Sequence, residues 1–267
     1  MQNNNNYLSV NKELWNKRTL AHLQSAFYDV PSFLDGKSSL NSIELALLGN
    51  VKDKKILHLQ CHFGQDSLSL ARMGADVTGI DLSDNAIEAA KNMATQMNID
   101  ARFICCDLYQ LPQHLDEQFD IVFTSYGTIG WLPDIALWAT IVARFLKPKG
   151  TFVFVEFHPI IWMYDNEMAN ITYSYFNKDA IIETETNTYA DKNAEINLAC
   201  VTWNHGIGEV VNSLINKGLQ IDDLSEYDYS PYNCFPNCTE AEPKKFRFIN
   251  YGNKLPMVYS IKATKTI

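Results

Sequence analysis

Apolar and polar positions along the centre of the chain form a regular succession of strand-like and helix-like patterns. Short apolar runs typical of buried strands occupy residues 56–60, 76–80, 102–106, 119–125 and 151–157. Between them, apolar residues recur at helical spacing over residues 66–73, 83–97 and 133–146. Because the strands are apolar throughout, we expect a mostly parallel sheet covered by helices on both faces, which is a doubly wound α/β fold.

The segment before this core has a different pattern. Its apolar residues recur at helical spacing up to residue 50, with an interruption at Pro31, because a proline disfavours helical backbone at the residue before it. The sequence therefore predicts a helical N-terminal extension over residues 1–50, followed by a core over residues 51–157.

The regular alternation of predicted strands and helices ends after residue 157. Residues rich in Thr, Tyr and Ile alternate over 171–176, 181–189 and 194–203, which predicts an antiparallel β insertion over residues 158–203. Residues 204–267 are predicted to complete the core sheet. They contain a helix over 207–217, strands over 219–227 and 257–264, and an irregular loop over 229–256.

Charge and composition narrow the class of partner. The chain has 31 acidic and 22 basic residues, a net charge of -9, and such a field repels phosphate backbones, so we expect no nucleic-acid partner. The first residues lack the pattern of a signal peptide and no apolar run is long enough to span a membrane, so we expect a cytoplasmic protein without a membrane partner. Cys234 and Cys238 have nearly the spacing of a metal pair but no matching second pair, so we predict no metal site.

The candidate chemistry lies at the ends of the predicted strands. The turn after the first strand reaches Gly64, which allows close approach of a ligand to the unpaired N–H groups of the next helix. Asp81 ends the second strand, where a carboxylate accepts hydrogen bonds from two ribose hydroxyls. Asp107 follows the third strand, where it can bind an adenine amino group. Ser125 and Tyr126 end the fourth strand, beside the switch point at which such sheets bind ligands.

Each of these residues also has a purely structural interpretation. Gly64 is equally compatible with close helix packing, and Asp81 and Asp107 with capping of the segments that follow them. Their joint occurrence at successive strand ends favours a nucleotide-type cofactor.

The same residues resemble the signature of class I S-adenosylmethionine-dependent methyltransferases, and in particular a largely uncharacterised bacterial subgroup. The first strand and turn of that family usually read Leu-Asp-Leu-Gly-Cys-Gly-x-Gly, and residues 57–64 here read Leu-His-Leu-Gln-Cys-His-Phe-Gly. Asp81 and Asp107 stand at the two acidic positions of the family, and residues 119–123 and 146–151 match its fourth strand and the turn into its fifth. The resemblance implies a seven-stranded sheet in which the last strand is antiparallel.

The resemblance, which covers roughly residues 50–160, also implies an activity. It is the transfer of a methyl group from S-adenosylmethionine to a small-molecule acceptor by in-line displacement. The implied cofactor-binding residues are Trp15, Tyr28, Gln60, Cys61, His62, Gly64, Asp81, Leu82, Cys106, Asp107, Leu108, Ser125 and Tyr126. Residues 1–50 would form a lid that places Trp15 and Tyr28 over the cofactor, with helix packing as the alternative. The sequence leaves the oligomeric state open, with a homodimer as one alternative.

Two residues are candidates for catalysis, although methyl transfer requires a base only when the acceptor atom carries a proton. Tyr126 would present an aromatic face to the cationic sulfonium, with core packing as the alternative. His158 would be a base that faces the pocket, with a structural histidine as the alternative.

The departures from the family pattern leave other functions open. His58 replaces the usual acidic residue, and Gln60 and His62 replace two glycines. Gln60 and His62 either crowd the methionine part of the cofactor or bind its carboxylate, and the retained Asp81 and Asp107 favour binding. The altered turn suggests a non-catalytic cofactor-binding or interaction protein as an alternative. A nicotinamide-dependent oxidoreductase is less favoured, because its Gly-x-Gly-x-x-Gly turn is absent.

Overall fold

A mixed β-sheet forms the centre of residues 6–266, the part of the chain that this computed structural model describes. The helices are α1 (Tyr7–Gln24), α2 (Val30–Leu34), α3 (Ser42–Leu48), α4 (Gln65–Arg72), α5 (Asp84–Gln96), α6 (Ile135–Phe145) and α7 (Ile207–Asn216). The strands are β1 (Lys55–Leu59), β2 (Asp76–Asp81), β3 (Arg102–Cys105), β4 (Phe119–Ser125), β5 (Leu146–Phe157), β6 (Ile181–Glu185), β7 (Leu198–Thr202), β8 (Leu219–Tyr227), β9 (Cys238–Glu242), β10 (Lys245–Phe248) and β11 (Val258–Lys265).

The seven strands of the main sheet lie in the order β3-β2-β1-β4-β5-β11-β8. The first five in this order pair in parallel, and β11 is antiparallel to both β5 and β8. This arrangement confirms the predicted fold class, including the antiparallel last strand. The strand order reverses at β1, which pairs with both β2 and β4, and the switch point therefore lies at the carboxyl ends of these strands.

Helices cover both faces of the sheet because each has one apolar side. On one face α6 buries Trp138 and Phe145 against Phe152 and Phe154 of β5. On the other face Phe63 and other apolar side chains pack beneath α4 and α5. Burial of one such side chain stabilises a fold by about 1.5–3 kcal/mol, so these two layers hold the strand ends in place. No helix among residues 6–266 is both long and apolar enough to cross a membrane.

The first helix packs against the segment that follows the fifth strand. The amide of Asn11 in α1 bonds both ways with the backbone of Val201 in β7, with Nδ2 2.8 Å from O and Oδ1 2.9 Å from N. Arg18 forms an ion pair of 2.9 Å with Glu185 of β6, which is antiparallel to β7. These contacts hold α1 and the β6–β7 pair together above the carboxyl edge of the sheet.

Two predicted segments differ from the structure. Residues 171–176 do not form a strand, because their side chains find no partner strand: Ile171 makes a single bridge to Tyr164, and Phe176 is 83% exposed. The predicted irregular loop over 229–256 instead contains the antiparallel pair β9 and β10. Its polar, glutamate-rich first strand has low strand propensity, and tertiary contacts outweigh that propensity.

Candidate functional site

A cavity of about 910 Å³ lies at the carboxyl ends of the central strands, beneath α1. Such a volume is at the upper end of the range for small-molecule sites, about 300–1,000 Å³. All thirteen residues implied as cofactor-binding line it: Trp15, Tyr28, Gln60, Cys61, His62, Gly64, Asp81, Leu82, Cys106, Asp107, Leu108, Ser125 and Tyr126. The structure thus brings together residues from both ends of the first half of the chain. Their role as cofactor ligands stays a prediction.

The turn between β1 and α4 has the backbone shape of a glycine-rich turn although two of its glycine positions are substituted. Gln60 and His62 both have φ of 52°, and Gly64 has φ of 78°. This left-handed region is one that glycine adopts freely and other residues rarely do. A Cβ atom on Gly64 would lie 2.8 Å from the ring of Phe103, so only glycine fits there.

The two substituted side chains take different directions. Gln60 donates from Nε2 to the carbonyl oxygen of Thr128 at 2.9 Å, while its buried Oε1 has no hydrogen-bond partner within residues 6–266. The ring of His62 packs against Phe63 and Trp15, with centroids 4.2 and 5.3 Å away. Burial lowers the pKa of His62 well below its usual value, and His22 and Arg18 lower it further. This histidine is therefore neutral.

Asp81 connects the turn to the second strand. Its Oδ2 accepts a hydrogen bond from the backbone N–H of His62 and its Oδ1 from that of Ser83, both at 2.8 Å. The N-cap of α5 is Ser83 and not Asp81, because the Ser83 hydroxyl accepts a hydrogen bond from the N–H of Ala86. Burial raises the pKa of Asp81 to about 6, against the effect of the backbone donors. A carboxylate has about four acceptor positions, so Asp81 retains capacity toward the cavity.

Asp107 follows β3 and takes part in a local cap as well. Its carboxylate accepts from the N–H of Tyr109 at 3.3 Å, at the start of a short 3₁₀ helix, Leu108–Gln113. The side chain also lines the cavity, so the capping and ligand-binding interpretations are compatible. Burial raises the pKa of this carboxyl group.

The two candidate catalytic residues are placed differently. Tyr126 lines the cavity and donates its hydroxyl to Oε2 of Glu44 at 2.8 Å. His158 is not among the cavity-lining residues, and its Nε2 lies 2.8 Å from Oε1 of Glu226 in β8. This contradicts the prediction that His158 faces the pocket. The chain leaves the strand after Phe157, and the imidazole is directed toward β8 instead.

The loop after β4 depends on Glu156, a residue outside the predicted site residues. Glu156 of β5 is 2% exposed, and its carboxylate accepts from the backbone N–H groups of Gly127, Thr128, Ile129 and Phe157. The loop so held presents Tyr126 to the cavity. An acidic residue inside the otherwise apolar run 151–157 was the signal in the sequence that could have identified it.

Two further carboxyl groups near the cavity were also missed. Glu44 is fully buried in α3, and burial together with the charge of Asp66 raises its pKa to about 7. Asp66, in the first turn of α4, lines the cavity and accepts from the hydroxyls of Ser39 and Ser125 at 2.6 and 3.2 Å. Asp66 is bonded to Ser125 at the end of β4, and it therefore lies at the opposite end of the cavity from Asp107, because β2 and β1 separate β3 from β4.

Comparison with known families and curated proteins agrees with this arrangement. Residues 56–150 match a family model described as a methyltransferase domain. Ubiquinone biosynthesis O-methyltransferases of Alkalilimnicola ehrlichii and Coxiella burnetii are 32% and 34% identical to this chain over 107 and 104 residues. These matches cover 40% and 39% of this chain and 43% and 44% of the relatives, so the chain matches less than half the length of each.

Solved structures share the fold over a greater length. A geranyl diphosphate C-methyltransferase from Streptomyces coelicolor superposes with a TM-score of 0.60 at 15% identity, covering 97% of both chains. An S-adenosylmethionine-dependent methyltransferase from Mesorhizobium loti gives 0.59 at 23% identity, covering 86% of this chain and 99% of its own. At these identities the likeness concerns the fold alone.

Proposed function

We propose, from the premise that residues 56–150 match a methyltransferase domain, that this protein is a class I S-adenosylmethionine-dependent enzyme that transfers a methyl group to a small molecule. The family match confirms the resemblance inferred from the turn and the two aspartates. The observation that carries the proposal is the single cavity on which the turn, Asp81, Asp107 and the end of β4 converge.

The residues present fit the cofactor of this family. When bound, S-adenosylmethionine supplies an electrophilic methyl group on a sulfonium. Asp81 would accept hydrogen bonds from the ribose hydroxyls, Asp107 would bind the adenine amino group, and the backbone at Gly64 leaves room for close approach. The ends of β3, β2, β1 and β4 span roughly 14 Å, because neighbouring strands lie about 4.8 Å apart, which suits an extended ligand.

The chain's own contribution to the reaction is orientation and exclusion of water. Helix α1 and the β6–β7 pair are bonded to each other and cover the cavity. This placement supports the proposed lid over residues 1–50 and the insertion over residues 158–203. Glu156 fixes the loop that carries Tyr126, so an aromatic ring borders the cavity at a constant position. Positioning of this kind is the main requirement of an in-line displacement.

The remaining parts of the proposal concern partners and location. A small-molecule acceptor suits a cavity of about 910 Å³. The absence of a nucleic-acid partner, a cytoplasmic location and a homodimer stay predictions from the sequence.

Calorimetry with S-adenosylmethionine and with NAD tests the proposed function. We expect binding of the first and none of the second. Asp81→Ala should weaken S-adenosylmethionine binding at least tenfold, since it removes charge-assisted hydrogen bonds worth roughly 1.5–3 kcal/mol. Asp76→Ala, at the exposed opposite end of the same strand, is the matched control and should bind like the unchanged protein. Absence of binding of either ligand would exclude both enzyme classes.

A further inference from the structure

The cavity extends past Gln60 to polar groups from three other segments of the chain. Asn41 is the residue before α3, Asp66 lies in the first turn of α4, and Lys244 lies in the turn between β9 and β10. All line the cavity, and none belongs to the residues that the family pattern implies. Several donors and acceptors in this region have no partner among residues 6–266, and these groups indicate the kind of ligand that fits.

The donor side of this region is formed by Asn41 and Lys244. Asn41 is 4% exposed, and its Nδ2 has no hydrogen-bond partner among the described residues. Its Oδ1 accepts from Nζ of Lys244 at 3.1 Å, so the ammonium group is held beside the amide with donors to spare. Since a buried N–H without a partner is unfavourable, the pair indicates a ligand with an anionic acceptor.

The acceptor side is formed by Asp66 and Gln60. Among residues 6–266, the carboxylate of Asp66 accepts side-chain hydrogen bonds only from the hydroxyls of Ser39 and Ser125, and no cationic side chain pairs with it. Oε1 of Gln60 is buried without a partner in the same part of the chain. These two groups indicate a ligand with a cationic donor.

The two sides are neighbours. Ser39, which bonds to Asp66, is two residues before Asn41, and the hydroxyl of Ser125 ties the end of β4 to the same carboxylate. A donor pair next to an acceptor pair complements a zwitterion. The group that fits is an α-aminocarboxylate, and the adenosine anchors Asp81 and Asp107 lie further along the same cavity.

We infer that Asn41 and Lys244 bind the carboxylate, and Asp66 and Gln60 the ammonium, of the methionine part of the cofactor. The inference rests on the proposed function and extends it to residues outside the family pattern. It makes the β9–β10 hairpin part of the cofactor site, since only its turn supplies the cationic Lys244. It also gives Gln60 a role that a glycine at that position cannot fill.

Calorimetry with two ligands that share one end separates this inference from the proposed function. S-adenosylhomocysteine carries both adenosine and the aminocarboxylate, whereas 5′-methylthioadenosine lacks the aminocarboxylate. Lys244→Met and Asp66→Asn should each weaken S-adenosylhomocysteine binding about tenfold, the usual effect of losing one charge-assisted hydrogen bond, and leave 5′-methylthioadenosine within about twofold. Lys245→Met is the control: this lysine pairs with the exposed Glu242, so both affinities should be unchanged.

The possible outcomes are distinct. If both variants bind the two ligands as the unchanged protein does, or lose affinity for both equally, the zwitterion site is wrong while the proposed function stands. If the unchanged protein binds neither ligand, the proposed function fails and the inference fails with it. Thermal unfolding of each variant shows whether it is folded, and Lys244, an exposed turn residue, supplies the variant least able to disturb the core.

Discussion

The turn between β1 and α4 holds three residues in the left-handed region, and only the last is a glycine. Each of the other two carries a conformational penalty of about 1–2 kcal/mol. Local hydrogen bonds offset it: the N–H of His62 is fixed by Asp81, and the side chain of Gln60 by the carbonyl of Thr128. The substituted turn is therefore a stabilised variant that preserves the shape of a glycine-rich one.

Gly64→Ala should destabilise the protein by about 3 kcal/mol, because an unfavourable φ adds to a clash with Phe103. Gly252→Ala is a matched control, since Gly252 has φ of 57° but nothing within 4 Å of an added Cβ. It should cost only about 1–2 kcal/mol. Urea denaturation measures both free energies of unfolding, and equal losses would mean that the Phe103 contact is not what requires glycine at position 64.

At the residue scale, the sequence was informative where a role follows from position along a strand. Asp81 and Asp107 could be selected because the carboxyl end of a parallel strand is recognisable from its own apolar run. Asn41 and Lys244 could not, because their contact joins residues 203 positions apart. The orientation of His158 was misjudged because the direction of a side chain just past a strand end depends on how the chain leaves the sheet.

At the scale of elements, β5 does more than complete the parallel half of the sheet. Through Glu156 it accepts hydrogen bonds from three successive backbone N–H groups of the loop after β4, those of Gly127, Thr128 and Ile129, at distances such as 2.7 Å to Thr128 and 3.1 Å to Ile129. A carboxylate in a ring of N–H groups is well stabilised even when it is buried. The loop beside the cavity is therefore fixed by the neighbouring strand.

Glu156→Gln should destabilise the protein by about 2–3 kcal/mol, because the amide group places a donor against backbone donors and leaves at least one of them unpaired. Glu226→Gln, which changes an exposed carboxylate on β8, should stay within about 0.5 kcal/mol. Guanidinium unfolding monitored by circular dichroism compares the two variants. Similar losses in both would show that the N–H ring around Glu156 contributes little.

Elements were predictable where their pattern is periodic and buried. The strand Phe119–Ser125 and the strand Leu219–Tyr227 have the predicted bounds, and α4, α5 and α7 begin or end within two residues of prediction. Prediction failed for β9 and β10, because Glu and Lys residues interrupt the alternation of apolar and polar positions that marks a strand. It also failed for residues 171–176, which have the composition of a strand but pair with no other strand. Pairing partners are a tertiary property, which local composition does not contain.

On the scale of the whole molecule, a buried acid in α3 links stability to pH. The pKa of Glu44 is about 7 in the folded protein and ordinary in the unfolded chain, because burial and the neighbouring Asp66 disfavour its charged form. A raised folded-state pKa gives stability that is complete below the unfolded value and is lost as the pH rises through the folded value.

We therefore expect the contribution of Glu44 to the free energy of unfolding to fall between about pH 4.5 and 7, by up to about 3 kcal/mol. Glu44→Gln keeps a side chain suited to the capping box at Asn41 but cannot ionise. Its stability should fall less over this range than that of the unchanged protein, as measured by urea denaturation at each pH. Parallel pH profiles would show that Glu44 does not titrate in this window.

The pairing of Asn11 with Val201 and of Asn41 with Lys244 has a consequence for biosynthesis. The contacts that close the cavity span 190 and 203 residues of sequence. Closure of such long loops is slow and comes late in folding. The parallel core can collapse on the ribosome as soon as residues 55–157 have emerged, but the ligand-binding walls must wait until residue 244 is synthesised. While residues 158–244 are synthesised, at about 5–20 residues per second, a nascent chain would thus be a folded scaffold with an open pocket.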